Sequence, residues 1–186
     1  RSKLHLMQEQ PVVIFLGTGD NFANEESIQY IQNILGPFLQ KESPGTRILI
    51  VGKKTERFRN GVVTANLQVV GEVAKVAPYL DAADIAVAPL TIVGGVSAKI
   101  IEYLCRGLLV VATKVASRTV GQQLGLVEAD LDSFHLAVCN AIKEIQHVRS
   151  LRRQIRKQAL ERFSWERIGE EVKQLLDAEL PLRHLG

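Results

Sequence analysis

The chain has 186 residues, of which 46% are hydrophobic, so it can bury the core of one compact domain. Its net charge is +3 with the charges interspersed, which gives no reason to expect a nucleic-acid partner. No apolar run approaches the roughly 20 residues of a membrane span, and no secretory signal is visible. Cys105 and Cys139 lie far apart in apolar patterns, so we expect buried thiols and a cytoplasmic location.

Short apolar runs alternate with helix-like segments along the chain. The predicted strands are Val12–Leu16, Ile48–Val51, Leu67–Val70, Ile85–Ala88, Leu109–Ala112 and, more weakly, Leu126–Val127. The predicted helices are Glu25–Leu35 continuing past Gly36-Pro37 to about Lys41, Ala74–Ala82, Ser97–Arg106, Leu131–Ile145, Val148–Arg162 and Trp165–Leu176. This order predicts an α/β fold: a single doubly wound, Rossmann-like parallel sheet with helices on both faces.

Two glycine-marked loops follow predicted strands. In a doubly wound sheet of order 3-2-1-4-5-6, the first and fourth strands are neighbours, and ligands bind outside their carboxyl ends. The loop after the first strand is Gly17-Thr18-Gly19, and the loop after the fourth contains Gly94-Gly95. We therefore expect the two loops to face each other across a ligand-binding crevice.

Lys99 stands in the first turn of a predicted helix, directly after this second loop. The N-terminus of a helix carries the positive end of its dipole, which disfavours a cation. A bound anion would explain the placement, because the free amides of the loop and the Lys99 ammonium would both attract phosphate. The alternative is an ordinary solvated lysine after a tight turn, and the position at the crevice favours phosphate.

Glu102 lies one helical turn beyond Lys99 on the same face of this helix. A carboxylate at this position could accept hydrogen bonds from the hydroxyls of a ribose while Lys99 binds phosphate. The alternative interpretation is an ion pair with Arg106, four residues later.

A dinucleotide site is a weaker alternative. The stretch GTGDNF supplies Gly17 and Gly19 of a GxGxxG pattern, but Phe22 replaces the third glycine. Lys53 and Lys54 stand where an acidic residue would bind ribose, which would suit only the 2′-phosphate of NADP. The histidines and cysteines have no metal-binding spacing, so no metal site is predicted.

Several stretches, in order and spacing, resemble one enzyme family. They are VVIFLGTGDNFANEESIQYI, RILIVGK, LQVVGEVAKVAPYLDAADIAVAPL, GGVSAKIIEYLCRGLLVVAT and ALERFSWERIGEEV. Together, over about Val12 to Leu176, they resemble the C-terminal, donor-binding domain of a GT-B glycosyltransferase of the retaining group 1 family. The resemblance implies transfer of a sugar from a UDP- or GDP-sugar to an acceptor hydroxyl, as a hexosyltransferase without cofactor or metal.

The resemblance also assigns site residues. The diphosphate would be bound by Gly17, Thr18, Gly94, Gly95, Val96, Ser97 and Lys99, the ribose by Glu102, and the base by the backbone of Gly71, Glu72 and Val73. Lys99 and Glu102 would be the catalytic residues. Gly94 replaces the first of two family glutamates, Thr18 and about Asn24 replace an Arg and a Lys, and Ser97 stands where relatives often carry Arg.

An acceptor-binding domain is expected upstream of Arg1 in the full-length protein. Any peripheral membrane association would then come through that domain, and the isolated donor domain would bind nucleotide with little or no turnover. Because Gly94 cannot supply the usual acidic contact to the sugar, a non-catalytic nucleotide-binding module is the main alternative function.

Overall fold

The computed structural model describes residues 1–61 and 64–179. Its strands form one six-stranded sheet in the order β3-β2-β1-β4-β5-β6, and every neighbouring pair is parallel. The strands are β1 (Val12–Leu16), β2 (Arg47–Val51), β3 (Leu67–Gly71), β4 (Ile85–Ala88), β5 (Leu109–Ala112) and β6 (Leu126–Glu128). All the predicted strands and their predicted order are confirmed.

Helices connect the strands. They are α1 (Phe22–Tyr30), α2 (Gly36–Glu42), α3 (Ala77–Ala82), α4 (Ala98–Cys105), α5 (Lys114–Ser117), α6 (Phe134–Lys143), α7 (Ile145–Phe163) and α8 (Trp165–Glu179). The prediction for α3 is too long at its start, since the helix begins at Ala77 with Pro78 in its first turn, where a missing amide hydrogen breaks no helical hydrogen bond. In the described ranges, no helix has a stretch long and apolar enough to cross a bilayer.

The helical segment after β1 is continuous but changes its winding. A π-helical turn, Ile31–Leu35, joins α1 to α2, and Pro37 lies in the first turn of α2. Because proline lacks an amide hydrogen and its ring clashes with the carbonyl four residues earlier, a regular α-helix cannot run through this point. The wider turn lets the segment continue past Gly36-Pro37, as the sequence predicts.

Alternate side chains of β1 pack into different halves of the core. Val12, Ile14 and Leu16 join the face covered by α3, α4 and α7, whereas Val13 and Phe15 join the face covered by α1, α2 and α6. Both faces of the sheet are therefore buried, which explains why the strands are apolar throughout. The predicted fold class is confirmed. Of the two free cysteines, Cys139 is buried and Cys105 is only half-buried.

Candidate functional site

A cavity of about 440 Å³ lies at the carboxyl ends of β1 and β4. The start of α1 forms one wall, and the loop before α4 forms the other. The lining residues are Asn21, Phe22, Ala23, Asn24, Leu90, Ile92, Val93, Gly94, Val96, Ser97, Ala98 and Lys99. The strand order makes this the switch point of the sheet, so the crevice lies where the sequence predicts a ligand site.

The loop before α4 exposes its backbone to this crevice. Gly94, Gly95 and Val96 are exposed, and their amides form no hydrogen bond with a backbone carbonyl in the part of the chain that the structure describes. Gly95 has a φ of 79°, which favours glycine, and no atom lies within 4 Å of a Cβ built on Gly94 or Gly95. These amides are therefore free to bind an anion.

Ser97 differs from the rest of the loop. It is buried, and its amide donates a hydrogen bond to Thr119 Oγ1 at 3.3 Å. The contact of Ser97 with a diphosphate stays a prediction, and in this structure its amide hydrogen is already donated to Thr119. Ser97 instead fixes the start of α4 against the segment after α5.

Lys99 is half-buried and directed toward β1 and α1. Its ammonium donates a hydrogen bond to Asn24 Oδ1 at 2.7 Å and lies 4.6 Å from the centroid of the Phe15 ring. Burial lowers its pKa to about 8. Within residues 1–61 and 64–179 it forms no ion pair with a carboxylate, so the interpretation as an ordinary solvated lysine does not hold. The structure holds an unneutralised cation beside the exposed amides.

Asn24 is a site residue to which the sequence assigns no role. Its Oδ1 accepts from Lys99, its Nδ2 donates to the Thr18 carbonyl at 3.2 Å, and its amide donates to Asn21 Oδ1, which caps α1. The sequence pattern predicts a helix start at Glu25, which places Asn24 before the helix, whereas α1 begins at Phe22. The cap at Asn21, an N-cap residue before an apolar position, is the signal that could have placed the helix start correctly.

The glycine loop after β1 is used mainly for packing. The Gly17 amide donates to the Val51 carbonyl at 3.1 Å, and a Cβ on Gly19 would lie 2.2 Å from the Lys54 carbonyl oxygen. The contact of Gly17 and Thr18 with a diphosphate stays a prediction, and the Gly17 amide takes no part in it because β2 already uses this amide. Thr18 is exposed at this edge of the sheet.

Glu102 is exposed on α4. Arg106 pairs with Asp81 of α3, at 3.4 Å between Nη1 and Oδ1, so the alternative Glu102–Arg106 pair is not formed. Residues three and four apart share one side of a helix, so Glu102 lies between Lys99 and Arg106 on the side of α4 that turns toward α3. The carboxylate is therefore available to a ligand extending from the crevice toward α3.

The predicted base-contacting turn follows β3. Gly71 has a φ of 95°, and Val73 packs against the core. The amide of Glu72 donates to Glu56 Oε1 at 2.6 Å, and this hydrogen bond is the main reason that the pKa of Glu56 is lowered. The contact of the Gly71, Glu72 and Val73 backbone with the base stays a prediction, and within this turn the Glu72 amide is already bonded to the Glu56 side chain.

The dinucleotide alternative finds little support in the structure. Lys54, a candidate for a 2′-phosphate, pairs with Asp20 at 2.5 Å, and Phe22 is 64% exposed where a glycine is expected. In the described residues, no group of His, Cys, Asp or Glu is arranged to hold a metal ion.

A family model described as "Glycosyl transferases group 1" matches residues 10–144. The fold is similar to Anabaena HepE in complex with UDP, with a TM-score of 0.73 and 16% identity over 96% of this chain and 51% of that chain. It is also similar to a mutant of S. aureus TarM in complex with Fondaparinux, alpha-GlcNAc-glycerol and UDP, with a TM-score of 0.71 and 14% identity over 92% of this chain and 36% of that chain. The fold is likewise similar to WaaG, a glycosyltransferase involved in lipopolysaccharide biosynthesis, with a TM-score of 0.67 and 17% identity over 86% of this chain and 45% of that chain.

The chain thus spans between 36% and 51% of the length of these structures. At such low identity the likeness concerns the fold. No curated protein matches the chain by sequence.

Proposed function

Because the chain belongs to the group 1 glycosyltransferases, we propose that it binds the nucleoside diphosphate of a UDP- or GDP-sugar and serves its transfer to an acceptor hydroxyl. The observation that carries this proposal is Lys99 beside the free amides of Gly94 to Val96. A half-buried ammonium and exposed amides at the start of a helix form a site for a diphosphate.

The same groups explain how the reaction would be promoted. Negative charge grows on the diphosphate as it leaves the sugar, and catalysis requires that this charge be stabilised more strongly than the charge of the bound donor. Lys99, Gly94 and Val96 already line the crevice, so their polar groups supply this stabilisation with little rearrangement. Glu102 would bind the ribose hydroxyls and fix the nucleotide relative to Lys99.

Retention at the sugar, a hexose as the transferred group and a cytoplasmic location are further parts of the proposal. The acceptor would be bound by another domain of the full-length protein. Two observations support such a domain: the solved relatives are about twice as long or longer, and the crevice rim exposes the apolar side chains of Phe22, Ile92 and Val96.

A non-catalytic nucleotide-binding module is the second candidate, and Gly94 is the observation that favours it. A glycine there gives no acidic contact to the donor sugar. The two candidates differ in one measurement, release of nucleoside diphosphate from a nucleotide sugar by the full-length protein, because only an enzyme turns the donor over.

A nucleoside diphosphate is expected to raise the melting temperature of the chain. A ligand that binds only the native state at 100 times its dissociation constant adds about 2.7 kcal/mol of stability. The measurement is a thermal-shift series with UDP, GDP, ADP, NADP and the corresponding nucleotide sugars at millimolar concentration. The donor-domain proposal is abandoned if none of the diphosphates moves the transition, and a response to NADP alone would favour the dinucleotide alternative.

Glu102→Gln is expected to weaken nucleotide binding about fivefold without changing the melting temperature of the free chain. The glutamine keeps one acceptor, so it loses only the difference between a charged and a neutral hydrogen bond, about 1 kcal/mol. Calorimetric titration with a nucleotide and its 2′,3′-dideoxy form tests the role, because the variant should prefer the ribonucleotide less strongly than the wild type does. An unchanged preference would show that Glu102 does not contact ribose.

A further inference from the structure

The placement of the ribose and phosphate groups gives the direction of a bound nucleotide. Glu102 lies on the side of α4 that turns toward α3, and the turn after β3 precedes α3. In the sheet, β2 separates β3 from β1, and neighbouring strands are about 4.8 Å apart, so this turn lies about 10 Å from the end of β1. A nucleotide with its diphosphate at Lys99 and its ribose at Glu102 therefore directs its base toward Glu72 and Glu56.

Several contacts hold Glu56 at that position. It belongs to a short 3₁₀ helix, Thr55–Asn60, in which Thr55 is fully buried and Phe58 packs against the core. Arg59 binds this helix to β3 by donating to the Val70 carbonyl at 2.8 Å. The carboxylate of Glu56 is therefore positioned by packing on one side and by the strand on the other.

Close contact with the turn fixes the carboxylate further. Glu56 Oε1 accepts the Glu72 amide hydrogen at 2.6 Å, and a Cβ on Gly71 would lie only 2.5 Å from the same oxygen. A glycine at residue 71 is thus required for Glu56 to approach. The amide hydrogen bond and nearby Arg59 keep the pKa of this carboxyl below its ordinary value, so it stays ionised and accepts hydrogen bonds without donating any.

Because the Glu72 amide is occupied, the hydrogen-bonding groups that this turn presents to a base are different from those of a free backbone. With the Glu72 hydrogen bonded to Glu56, the edge presents a carboxylate, which has acceptor capacity left after one amide bond. Uracil has a single donor, N3–H, and it stands between two carbonyl oxygens that a carboxylate repels. Adenine and cytosine each place one ring-nitrogen acceptor beside their amino group. Guanine has adjacent N1–H and N2–H₂ donors, which match the two oxygens of a carboxylate.

We propose that Glu56 determines the base specificity of the site and selects guanine, so that the donor is a GDP-linked sugar. This inference rests on the proposed function, which places a nucleoside diphosphate at this edge of the sheet. The guanine N1–H and N2–H₂ groups donate to the Glu56 carboxylate, which the Glu72 amide holds in place, while Arg59 holds the 3₁₀ helix of Glu56 to β3. A site built to accept from such donors discriminates strongly against a base that lacks them.

Calorimetric titration of the chain with GDP, IDP and UDP tests this assignment. We expect GDP to bind at least tenfold more tightly than UDP, with IDP between them because inosine keeps N1–H and lacks the 2-amino group. In Glu56→Gln, GDP should lose about tenfold in affinity and the ratio of GDP to UDP affinity should approach one. Glu42→Gln is the matched control, since Glu42 is exposed at the end of α2, before β2, at the opposite edge of the sheet.

The outcomes separate this inference from the function on which it rests. UDP binding as tightly as GDP, or a Glu56→Gln variant that keeps the wild-type ratio while melting at the wild-type temperature, overturns the guanine assignment alone. Failure of all three nucleotides to bind overturns the proposed function and this inference with it. If Glu56→Gln lowers the melting temperature by more than a few degrees, the GDP, IDP and UDP series on the wild-type chain decides the question instead.

Discussion

Replacing Lys99 by methionine is expected to lower the affinity for a nucleoside diphosphate about tenfold to hundredfold, with a much smaller effect on the bare nucleoside. A charge-assisted hydrogen bond contributes roughly 1.5–3 kcal/mol, and the nucleoside makes no contact with this ammonium. Calorimetric titration with the diphosphate and the nucleoside measures the two losses. Equal losses for both ligands would show that Lys99 does not bind phosphate.

The same variant is expected to melt at the wild-type temperature or above it when no ligand is present. Lys99 is a half-buried cation at the positive end of α4, and the dipole alone makes it unfavourable by about 0.3–1 kcal/mol. Methionine fills a similar volume and keeps an apolar contact with Phe15, 4.6 Å from the present ammonium. A clear drop in melting temperature would mean that Lys99 serves the fold and not the ligand.

The pH dependence of binding provides a second readout for Lys99. Burial lowers its pKa to about 8 in the free protein, and a bound diphosphate favours the charged form, so the pKa rises on binding. Above pH 8, binding of the diphosphate is therefore coupled to the uptake of one proton by Lys99. The affinity for the diphosphate should fall by up to about tenfold per pH unit in this range. Lys99→Met should remove this dependence. The pH dependence of stability has the opposite sign to that of binding. From pH 8 toward the ordinary lysine pKa, the unfolded chain binds more protons than the native chain, so the free energy of unfolding rises with pH in this window.

The strands and their order could be predicted because each one is buried on both faces. A parallel strand covered by helices on both sides must be apolar at every residue, and runs such as Val12–Leu16 and Ile85–Ala88 show this directly in the sequence. The family and the α/β fold followed from the same segments and are confirmed. The start of α3 was missed because its boundary depends on Pro78 and not on apolar spacing.

The site could be predicted only where a residue breaks a local rule. Lys99 at a helix start and the Gly94-Gly95 pair after a strand are visible as local departures, and Lys99 and Gly94 line the same crevice. The occupied amides could not be read in this way. Those of Ser97 and Glu72 are bonded to side chains 22 and 16 residues away, and no local pattern reports such pairs.

At the amino ends of the central strands, on the side of the sheet away from the crevice, the carboxylate of Asp84 is buried and accepts several hydrogen bonds. Its Oδ1 accepts from Arg1 at 2.7 Å and from Arg149 at 2.9 Å, and its Oδ2 accepts from the Val12 amide at 2.9 Å. The side chain of Asp84 is only 3% exposed. One carboxylate therefore joins the start of β1, the N-terminal segment and α7.

Asp84→Ala is expected to lower the free energy of unfolding by about 3–5 kcal/mol, because, among the described residues, it leaves Arg1 without a carboxylate partner and Arg149 with only the exposed Glu9. For a chain of this size that corresponds to a fall of roughly 10 °C in melting temperature. Nucleotide affinity should not change at a temperature where both proteins are folded, since Asp84 precedes β4 and the crevice follows it. Glu9→Ala is the matched control: Glu9 also pairs with Arg149, at 2.9 Å, but its side chain is 77% exposed, so its loss should cost less than about 1 kcal/mol. Chemical denaturation of the two variants measures the difference, and equal costs would show that burial of Asp84 adds nothing to the stability of this edge.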